Sequence, residues 1–311
     1  MPSRFVPISD AADRPLVVET LTTTFAVPED LPEVPSFRIA AYNVYNMFGD
    51  EPDVHSRRPD PPASDEQLKA IGKMILETDA SAIAFEEVQN RAILTKVFRK
   101  YVNPKLDPEM RFSTFICVPS HDPRGINLAF ATRFAVRSTL SFQDREFRGD
   151  ADESPKKFSR DLLGVWLNAT PKYEFMFFAG HLKSKMGGDE ATFKRLLEAR
   201  EARAILEEPS FGRGPSFISG DMVLVGDMND DPDSEVISTL RGTGDTAMRD
   251  VLAELPDSNT YPTHTRYKKT RLDYIFASKT IRISDPQIHK TDIAADASDH
   301  YPVSASVAVP A

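Results

Sequence analysis

The stretches YEFMFFAGH (173–181) and MVLVGDMN (222–229) are short apolar runs on either side of a helical pattern. Runs of this length and composition predict strands. Between them, the segment from about Asp189 to Glu207 has one apolar side, as a helix that packs on a sheet does. That inner side consists of Phe193, Leu196, Ala199, Ala202 and Ile205. This part of the chain therefore predicts strands that pack beside a helix.

Further strand-like runs lie on both sides of this segment. FRIAAYNV (37–44) and SAIAFEEV (81–88) flank a helix predicted from Ser64 to Glu77, where Ser64 and Gln67 match a capping box. A second helix is predicted near Arg91 to Tyr101. Strand-like runs then come in close order up to YEFMFFAGH, and their spacing indicates antiparallel pairing; they are FSTFICVP (112–119), INLAFATR (126–133), VRSTLSF (136–142) and LGVWLNA (163–169). Three further strand-like runs follow MVLVGDMN, namely RLDYIFAS (271–278), RISDPQIH (282–289) and VSASVAV (303–309).

Two groups of strands, each accompanied by helices, predict an α/β fold. The expected architecture is a four-layered α/β sandwich, in which two packed, mainly antiparallel sheets have helices outside. We expect residues 35–311 to form this one domain. Residues 1–34 contain several prolines and acids without a clear period, so they predict an extended N-terminal arm.

The composition is that of a globular chain of 311 residues with a formal net charge of −9. No run reaches the roughly 18 apolar residues of a membrane span, and the N-terminus has no apolar signal core. The single Cys117 cannot form an internal disulfide, so the cytoplasm is the expected compartment. We expect a monomer without a membrane partner, and the sequence indicates no protein partner. The acidic excess argues modestly against a dedicated nucleic-acid binder, but the ligand carboxylates of a metal-dependent hydrolase would also produce it.

Polar residues recur at the predicted strand ends, where a sheet brings side chains to a shared edge. One such residue is ordinary, because Asp and Asn commonly end strands as turn formers. A repeated set in one chain predicts a catalytic edge. The set is Asn43, Glu87, His181, Asp227, Asn229, Asp273, Asp299 and His300.

These residues belong to motifs that follow one another in a fixed order. The motifs are YNVYNMF (42–48), FEEVQN (85–90), DPRGINLAFATR (122–133), GHLKSK (180–185), GDMNDDPDS (226–234), TRLDYIF (270–276) and SDHYPV (298–303). From about Phe37 to Val309, this ordered set resembles the endonuclease/exonuclease/phosphatase superfamily. The resemblance implies the four-layered sandwich and the hydrolysis of phosphate esters with Mg²⁺ or Mn²⁺ as cofactor.

The resemblance also implies a metal site. Glu87 resembles the metal-binding carboxylate, Asn43 the asparagine that steadies the metal and the phosphate, and Asp299 a further acid near the metal. Three positions depart from the family pattern, and the first is Phe85, which replaces the usual leucine. Glu86 replaces the usual glutamine, and strand alternation predicts that it faces away from Glu87. Tyr45 stands where some relatives carry a second metal-binding acid, which favours one metal with fewer protein ligands.

The catalytic residues follow from the same resemblance. His300 resembles the histidine at the scissile phosphate, and Asp273 its partner, which would fix the imidazole tautomer and raise its basicity. Asp227 resembles the aspartate that orients or deprotonates the attacking water. Asn229 and His181 resemble groups that contact phosphate oxygens, and His181 is also placed to assist the leaving group.

Basic residues near these motifs predict contacts with phosphates that flank the reacting one. They are Arg124, Lys183, Lys268, Lys269 and Arg271, the last three within TRYKKTR (265–271). A nuclease with a nucleic-acid substrate is the leading prediction. Two alternatives stay open. One is a phosphatase or phosphodiesterase that acts on a small or lipid phosphate ester, as with inositol phosphates or sphingomyelin. The other is a catalytically dead member that only binds.

Overall fold

The computed structural model describes residues 16–17, 35–50, 61–149, 154–209, 216–264 and 267–310. Most of the extended arm predicted for residues 1–34 lies outside the described residues, so the boundary at residue 35 stays a prediction. The short strand Leu16–Val17 is described, and it pairs in antiparallel register with Leu140 and Ser141.

The strands of the described residues are numbered in chain order. They are β1 (Leu16–Val17), β2 (Ser36–Met47), β3 (Ala82–Val88), β4 (Thr114–Val118), β5 (Asn127–Thr132), β6 (Ala135–Ser141), β7 (Leu162–Thr170), β8 (Tyr173–Gly180), β9 (Met222–Asp227), β10 (Arg249–Asp250), β11 (Asp273–Ala277), β12 (Ile283–Ile288) and β13 (Val303–Ala308). Each strand-like run of the sequence overlaps one of these strands. The two-residue strand β10 was not predicted.

The strands form two sheets that are mainly antiparallel. The first sheet has the order β1-β6-β7-β8-β9-β11-β10, and the second has the order β12-β13-β2-β3-β5-β4. Among the described strands, the pairs β8–β9 and β2–β3 are parallel, and the remaining pairs are antiparallel. The predicted pairing is therefore confirmed.

The helices are α1 (Asp65–Glu77), α2 (Arg91–Val97), α3 (Gly188–Glu207), α4 (Glu235–Arg241) and α5 (Ala294–Ala297). Helix α1 is capped as predicted, because Ser64 Oγ accepts a hydrogen bond from Gln67 N at 3.1 Å. The other half of the capping box is not made. Instead, Gln67 Nε2 donates to the carbonyl of Tyr45 at 3.3 Å, which ties the helix to the end of β2. The sequence pattern did not predict α4 or α5.

The central core lies between the two sheets and draws side chains from both. Ile39 and Ala84 come from the second sheet, and Phe177, Val225 and Ile275 come from the first. Each of these side chains is essentially inaccessible to solvent. Burial of such apolar surface is the main favourable contribution to folding, so this layer joins the two sheets into one domain.

Two further cores cover the outer faces of the sheets. Helices α3 and α4 cover the first sheet through a cluster that contains Leu197, Ile237 and Phe178. Helices α1 and α2 cover the second sheet through a cluster that contains Ile71 and Leu94. Because the neighbouring residues Phe177 and Phe178 of β8 belong to different cores, this strand is apolar on both faces. The four-layered α/β sandwich is confirmed.

The fold brings the polar strand ends to one edge of the sandwich. The parallel strands β8 and β9 end there, and β11 begins beside the end of β9. In the second sheet, the parallel strands β2 and β3 also end at this edge. None of the described helices has the length and apolar character needed to cross a membrane.

Candidate active site

Asp227 lies at the centre of the site, where β9 ends. Its Cα pairs with that of Asp273, the first residue of β11. From the other sheet, Asn43 Nδ2 donates a hydrogen bond to Asp227 Oδ2 at 3.2 Å, so the two sheets are joined at this carboxylate. Burial raises the pKa of Asp227; the His300 cation opposes this rise, and the carboxylate of Asp273 adds to it. A raised pKa suits a carboxylate that accepts a proton near neutral pH.

His300 lies on one side of Asp227 and is paired with Asp273, as predicted. Its Nδ1 is 2.8 Å from Asp273 Oδ2, and both side chains are buried. Its Nε2 is 3.8 Å from Asp227 Oδ2 and 4.0 Å from Asp299 Oδ1. Burial alone would lower the pKa of His300, but Asp273 and Asp227 outweigh it and raise the pKa well above the ordinary value. The imidazole is therefore held as a cation.

His181 also lies next to Asp227, with its Nε2 3.5 Å from Asp227 Oδ2. Its Nδ1 is buried and has no hydrogen-bond partner in the part of the chain that the structure describes. Burial lowers the pKa of His181 well below the ordinary value, and the nearby cations of Arg160 and Arg124 lower it further. The structure thus brings His181 into the site as a neutral imidazole.

Asn229 supports Asp227 from the turn after β9. Its backbone N donates to Asp227 Oδ1 at 2.9 Å, and its Nδ2 donates to the carbonyl of Leu182 at 3.1 Å. The turn requires a left-handed backbone, with φ at 53°, which asparagine tolerates better than most residues. The structure shows that Asn229 positions Asp227, whereas its contact with a substrate phosphate stays a prediction.

Glu87 and Asp299 carry the carboxylates that the family resemblance assigns to a metal. Glu87 is half-buried, and its Oε2 accepts a hydrogen bond from Asn46 N at 3.0 Å. Burial raises the pKa of Asp299; the His300 cation opposes this rise, and the charge of Glu87 adds to it. The charge of Glu87 affects the pKa of Asp299, so the two carboxylates lie near each other.

These residues fit a hard divalent cation in the chemistry of their donors. Mg²⁺ prefers oxygen ligands, keeps several waters, and uses one or two protein carboxylates together with substrate phosphates. Glu87, Asp299 and the side-chain oxygen of Asn43 are donors of this kind. Within the described ranges, no three His, Cys, Asp or Glu side chains form a ready-made cation site. A cation here would therefore also need oxygen atoms from water or substrate.

The strand β3 is irregular beside Glu86, at Glu87. Strand alternation predicts that Glu86 and Glu87 face opposite ways, but the pairing of β3 with β5 is irregular between Phe85 and Val88. At this irregularity, Glu87 has a left-handed backbone with φ at 65°. A bulge of this kind interrupts the alternation of side chains. Glu86 itself keeps the alternation of Ala82 and Ala84 and faces the other sheet, so its opposite orientation to Glu87 stays a prediction.

Glu86 lies beneath the site, between the two sheets. A Cβ atom added at Gly226 would lie 2.6 Å from Glu86 Oε1. Any residue larger than glycine at position 226 would therefore collide with the Glu86 carboxylate. Neither carboxylate oxygen has a hydrogen-bond partner within the described residues, and the side chain is fully buried. Burial raises the pKa of Glu86 well above the ordinary value, and the charges of Asp273 and Asp227 add to the effect.

A basic group lies next to His181, and it includes one residue that the sequence did not suggest. Arg160 is buried, its Nη1 donates to the carbonyl of Leu182 at 3.0 Å, and its Nε lies 2.9 Å from Asp122 Oδ2. Arg124 contacts the other oxygen of Asp122 through its Nε at 3.3 Å. Burial and the charge of Arg160 lower the pKa of Lys183. The predicted contacts Arg124 and Lys183 therefore share one side of the site with Arg160.

The basic residues of the predicted loop have different environments in the structure. Lys268 and Lys269 are exposed, whereas Arg266 lies outside the described residues. Arg271 is buried, and its Nη2 is 2.6 Å from the buried Asp250 Oδ2. Its guanidinium also lies 4.7 Å from the centre of the Tyr274 ring. The prediction that Arg271 contacts substrate does not fit this environment, because its charge is committed to a buried ion pair.

Comparisons with known proteins agree with this geometry. Residues 40–300 match the Endonuclease/Exonuclease/phosphatase family. A member of that family from Bacteroides thetaiotaomicron has a similar structure, with a TM-score of 0.60 and 18% identity over 88% of this chain and 95% of that one. No curated protein sequence matches this chain.

Two other solved structures have the same fold. A mannosyl-6-phosphatase from Bacteroides thetaiotaomicron is 18% identical over 88% of this chain and 100% of that chain, with a TM-score of 0.57. The human Nocturnin catalytic domain with a bound sulfate anion is 15% identical over 88% of this chain and 94% of that chain, with a TM-score of 0.58.

The fold and its edge of acids and histidines define a phosphoesterase. With the match over residues 40–300, this chain belongs to the endonuclease/exonuclease/phosphatase family. Members of this family are hydrolytic phosphoesterases that generally use divalent metals.

Proposed function

We propose that this protein is a divalent-metal-dependent nuclease, which hydrolyses the phosphodiester bonds of nucleic acids. The observation that carries the proposal is the position of positive side chains on two flanks of the site. Arg124, Arg160 and Lys183 lie beside His181. On the flank of His300, the exposed Lys268 and Lys269 follow Tyr267 in the chain. A polymer presents phosphates on both sides of the bond that is cut, and basic side chains on both flanks suit such a substrate.

The central residues can carry out the hydrolysis. Asp227 accepts the proton of the water that attacks phosphorus, as its raised pKa allows. Cationic His300, held by Asp273, stabilises the negative charge that grows on the phosphoryl oxygens. Neutral His181 contacts another phosphate oxygen beside Arg160. A divalent cation held by Glu87 and Asn43 would supply further charge neutralisation when bound.

The test is a panel of substrates offered to the purified protein with Mg²⁺ or Mn²⁺. Plasmid DNA, single-stranded DNA, RNA, mannose 6-phosphate, inositol phosphates and sphingomyelin represent the competing classes. The proposal expects cleavage of nucleic acid at the highest kcat/KM. Preferred turnover of mannose 6-phosphate or another small ester would show a phosphatase instead. Binding of nucleic acid without hydrolysis of any ester would show a catalytically dead member.

Metal dependence is tested with the same protein. Excess chelator should abolish hydrolysis, and Mg²⁺ or Mn²⁺ should restore it. Glu87→Ala should raise the metal concentration needed for half-maximal activity, because it removes a carboxylate ligand. Glu77→Ala, at the exposed end of α1, is the control and should behave as wild type. Isothermal titration of Mn²⁺ into each variant measures binding without turnover. Full activity in excess chelator would contradict the assignment.

A further inference from the structure

A row of aromatic rings extends outward from the catalytic histidine. The Tyr261 ring is 4.9 Å from the His300 ring between centroids. The Tyr267 ring stacks on Tyr261 with a centroid distance of 6.1 Å and an interplanar angle of 20°. His264 lies 5.8 Å from Tyr267 on the same loop. The rings therefore connect the buried imidazole to the protein surface.

Tyr267 is one of the few large apolar side chains that the described residues expose. The others are Tyr45, Met110 and Met186. Tyr267 and Tyr45 are each 50% exposed, and both lie near Tyr261. Burial raises the pKa of Tyr261 to about 12, with added effects from Asp299, Tyr267, Asp227 and Tyr45. Two exposed tyrosines thus lie near the mouth of the site, where exposed apolar surface often marks a binding site.

Tyr45 is held in place through its backbone. Its N donates to Asn43 Oδ1 at 3.1 Å, and its carbonyl accepts from Gln67 Nε2 at 3.3 Å. Its φ of 50° lies in the left-handed region, which is uncommon for a bulky residue. Backbone strain of this kind is typically found at functional sites. The fold therefore fixes an aromatic side chain directly beside Asn43, a residue of the site.

We propose that Tyr261, Tyr267 and Tyr45 form a stacking platform for an unpaired nucleobase next to the scissile phosphate, so that the substrate is a single strand. This inference rests on the proposed nuclease function. A base in a duplex is already stacked and paired, whereas a single strand can place a base on an aromatic side chain. Base–aromatic stacking of this kind accepts any base.

The charges near the platform favour a nucleic-acid strand over a lone sugar ring. Lys268 and Lys269 directly follow Tyr267 and are exposed. Aromatic rings that hold bases beside basic side chains that hold the backbone are the usual arrangement in single-strand binding. The platform begins at His300, so the stacked base would belong to a nucleotide beside the phosphate that is cut.

The test measures binding of a fluorescent single-stranded oligonucleotide and of its duplex by anisotropy, in chelator so that no cleavage occurs. Tyr267→Ala should weaken single-strand binding on the order of 10-fold, the contribution of one stacked base. Duplex binding should change little. Tyr267→Phe keeps the ring and should retain wild-type affinity. Met110→Ala, which removes another exposed apolar side chain near the opposite end of the sandwich, should have no effect.

A matched change in the substrate locates the stacked base. With metal present, cleavage is compared for oligonucleotides that carry one abasic nucleotide on either side of the cut. At one position, the abasic change and Tyr267→Ala should each lower kcat/KM, and together they should cost little more than one alone. Losses that multiply at every position would overturn the platform, as would equal losses on single strand and duplex.

The panel separates this inference from the nuclease proposal. If wild type cleaves nucleic acid but Tyr267→Ala binds single strands normally, the platform is wrong and the nuclease stands. If wild type hydrolyses only mannose 6-phosphate and Tyr267→Ala lowers that turnover, the tyrosines hold a sugar ring, and both proposals are wrong.

Discussion

The two histidines of the site lie near the same oxygen of one carboxylate but have oppositely charged surroundings. His300 Nε2 is 3.8 Å and His181 Nε2 is 3.5 Å from Asp227 Oδ2. Both rings are buried, and burial lowers the pKa of either one. At His300, the carboxylates of Asp273 and Asp227 reverse this effect. At His181, the cations of Arg160 and Arg124 reinforce it.

The difference teaches that neighbouring charges separate the two rings, because burial lowers the pKa of both and only the carboxylates beside His300 outweigh it. A hydrogen bond to Asp273 holds His300 as a fixed cation, whereas His181 stays neutral and leaves the positive charge on its side to the arginines. A phosphate bound near the two rings would therefore meet the positive charge of His300 and that of the arginines beside His181. The same residue type thus fills two different roles.

The largest expected effect on turnover comes from removing His300 or its partner Asp273. His300→Ala and Asp273→Ala should each lower kcat by about 100-fold or more, as loss of a preorganised group that stabilises transition-state charge does. The double variant should be little worse than the more damaged single one, because the two residues act as a unit. Single-turnover kinetics on one oligonucleotide measures all three. Losses that multiply would show that Asp273 does not act through His300.

A second prediction concerns the buried Glu86 beneath the site and the pH dependence of the free energy of unfolding. The pKa of Glu86 is raised in the folded protein, so its contribution to stability is fully present below the unfolded pKa. That contribution is lost as pH rises toward the folded pKa. Glu86→Gln cannot ionise, so its stability advantage over wild type should grow with pH, by up to about 1.4 kcal/mol per pH unit within this window.

Urea unfolding of the metal-free proteins at several pH values above the ordinary range of a glutamate checks this prediction. Glu77→Gln, at the exposed end of α1, is the control and should follow wild type. A stability difference between Glu86→Gln and wild type that stays constant with pH would show that Glu86 ionises as in the unfolded chain.

The smallest expected effect concerns the exposed lysines on the His300 flank. Lys268→Ala with Lys269→Ala should weaken nucleic-acid binding and flatten its salt dependence, by a slope of about 0.7–0.9 for each phosphate contact that is lost. Turnover at saturating substrate should hardly change. Lys172→Ala with Lys279→Ala, near the opposite end of the sandwich, is the matched control. Equal salt dependence of binding for the two double variants would show that Lys268 and Lys269 do not contact the nucleic acid.

Much of the fold and of the site could be predicted, because the sequence marks both the strands and the polar residues at their ends. Apolar runs marked the strands, and the polar residue at the end of each run marked the edge. Asn43, Asp227 and Asp273 come together because their strands all reach that edge. Their place at strand ends, together with the resemblance of the ordered motifs to a known family, was enough to predict this.

The features that sequence missed depend on local irregularity or on distant partners. Glu87 has a left-handed backbone at an irregularity of β3 that no residue type announces, whereas Glu86 keeps the alternation of the strand and faces the other sheet. Arg160 precedes β7 in the chain and gains its place through Asp122. Arg271 looked like part of a basic surface, but its partner Asp250 lies in a short strand that the pattern did not predict.

The charge states of the two histidines test the account most directly. Nitrogen-15 NMR of histidine-labelled, metal-free protein reports the protonation of each ring, and His300→Gln and His181→Gln assign the signals. The account predicts that His300 is cationic and His181 neutral across the neutral pH range. Two rings that titrate together near the ordinary pKa of about 6.5 would contradict it, as would a neutral His300 beside a cationic His181.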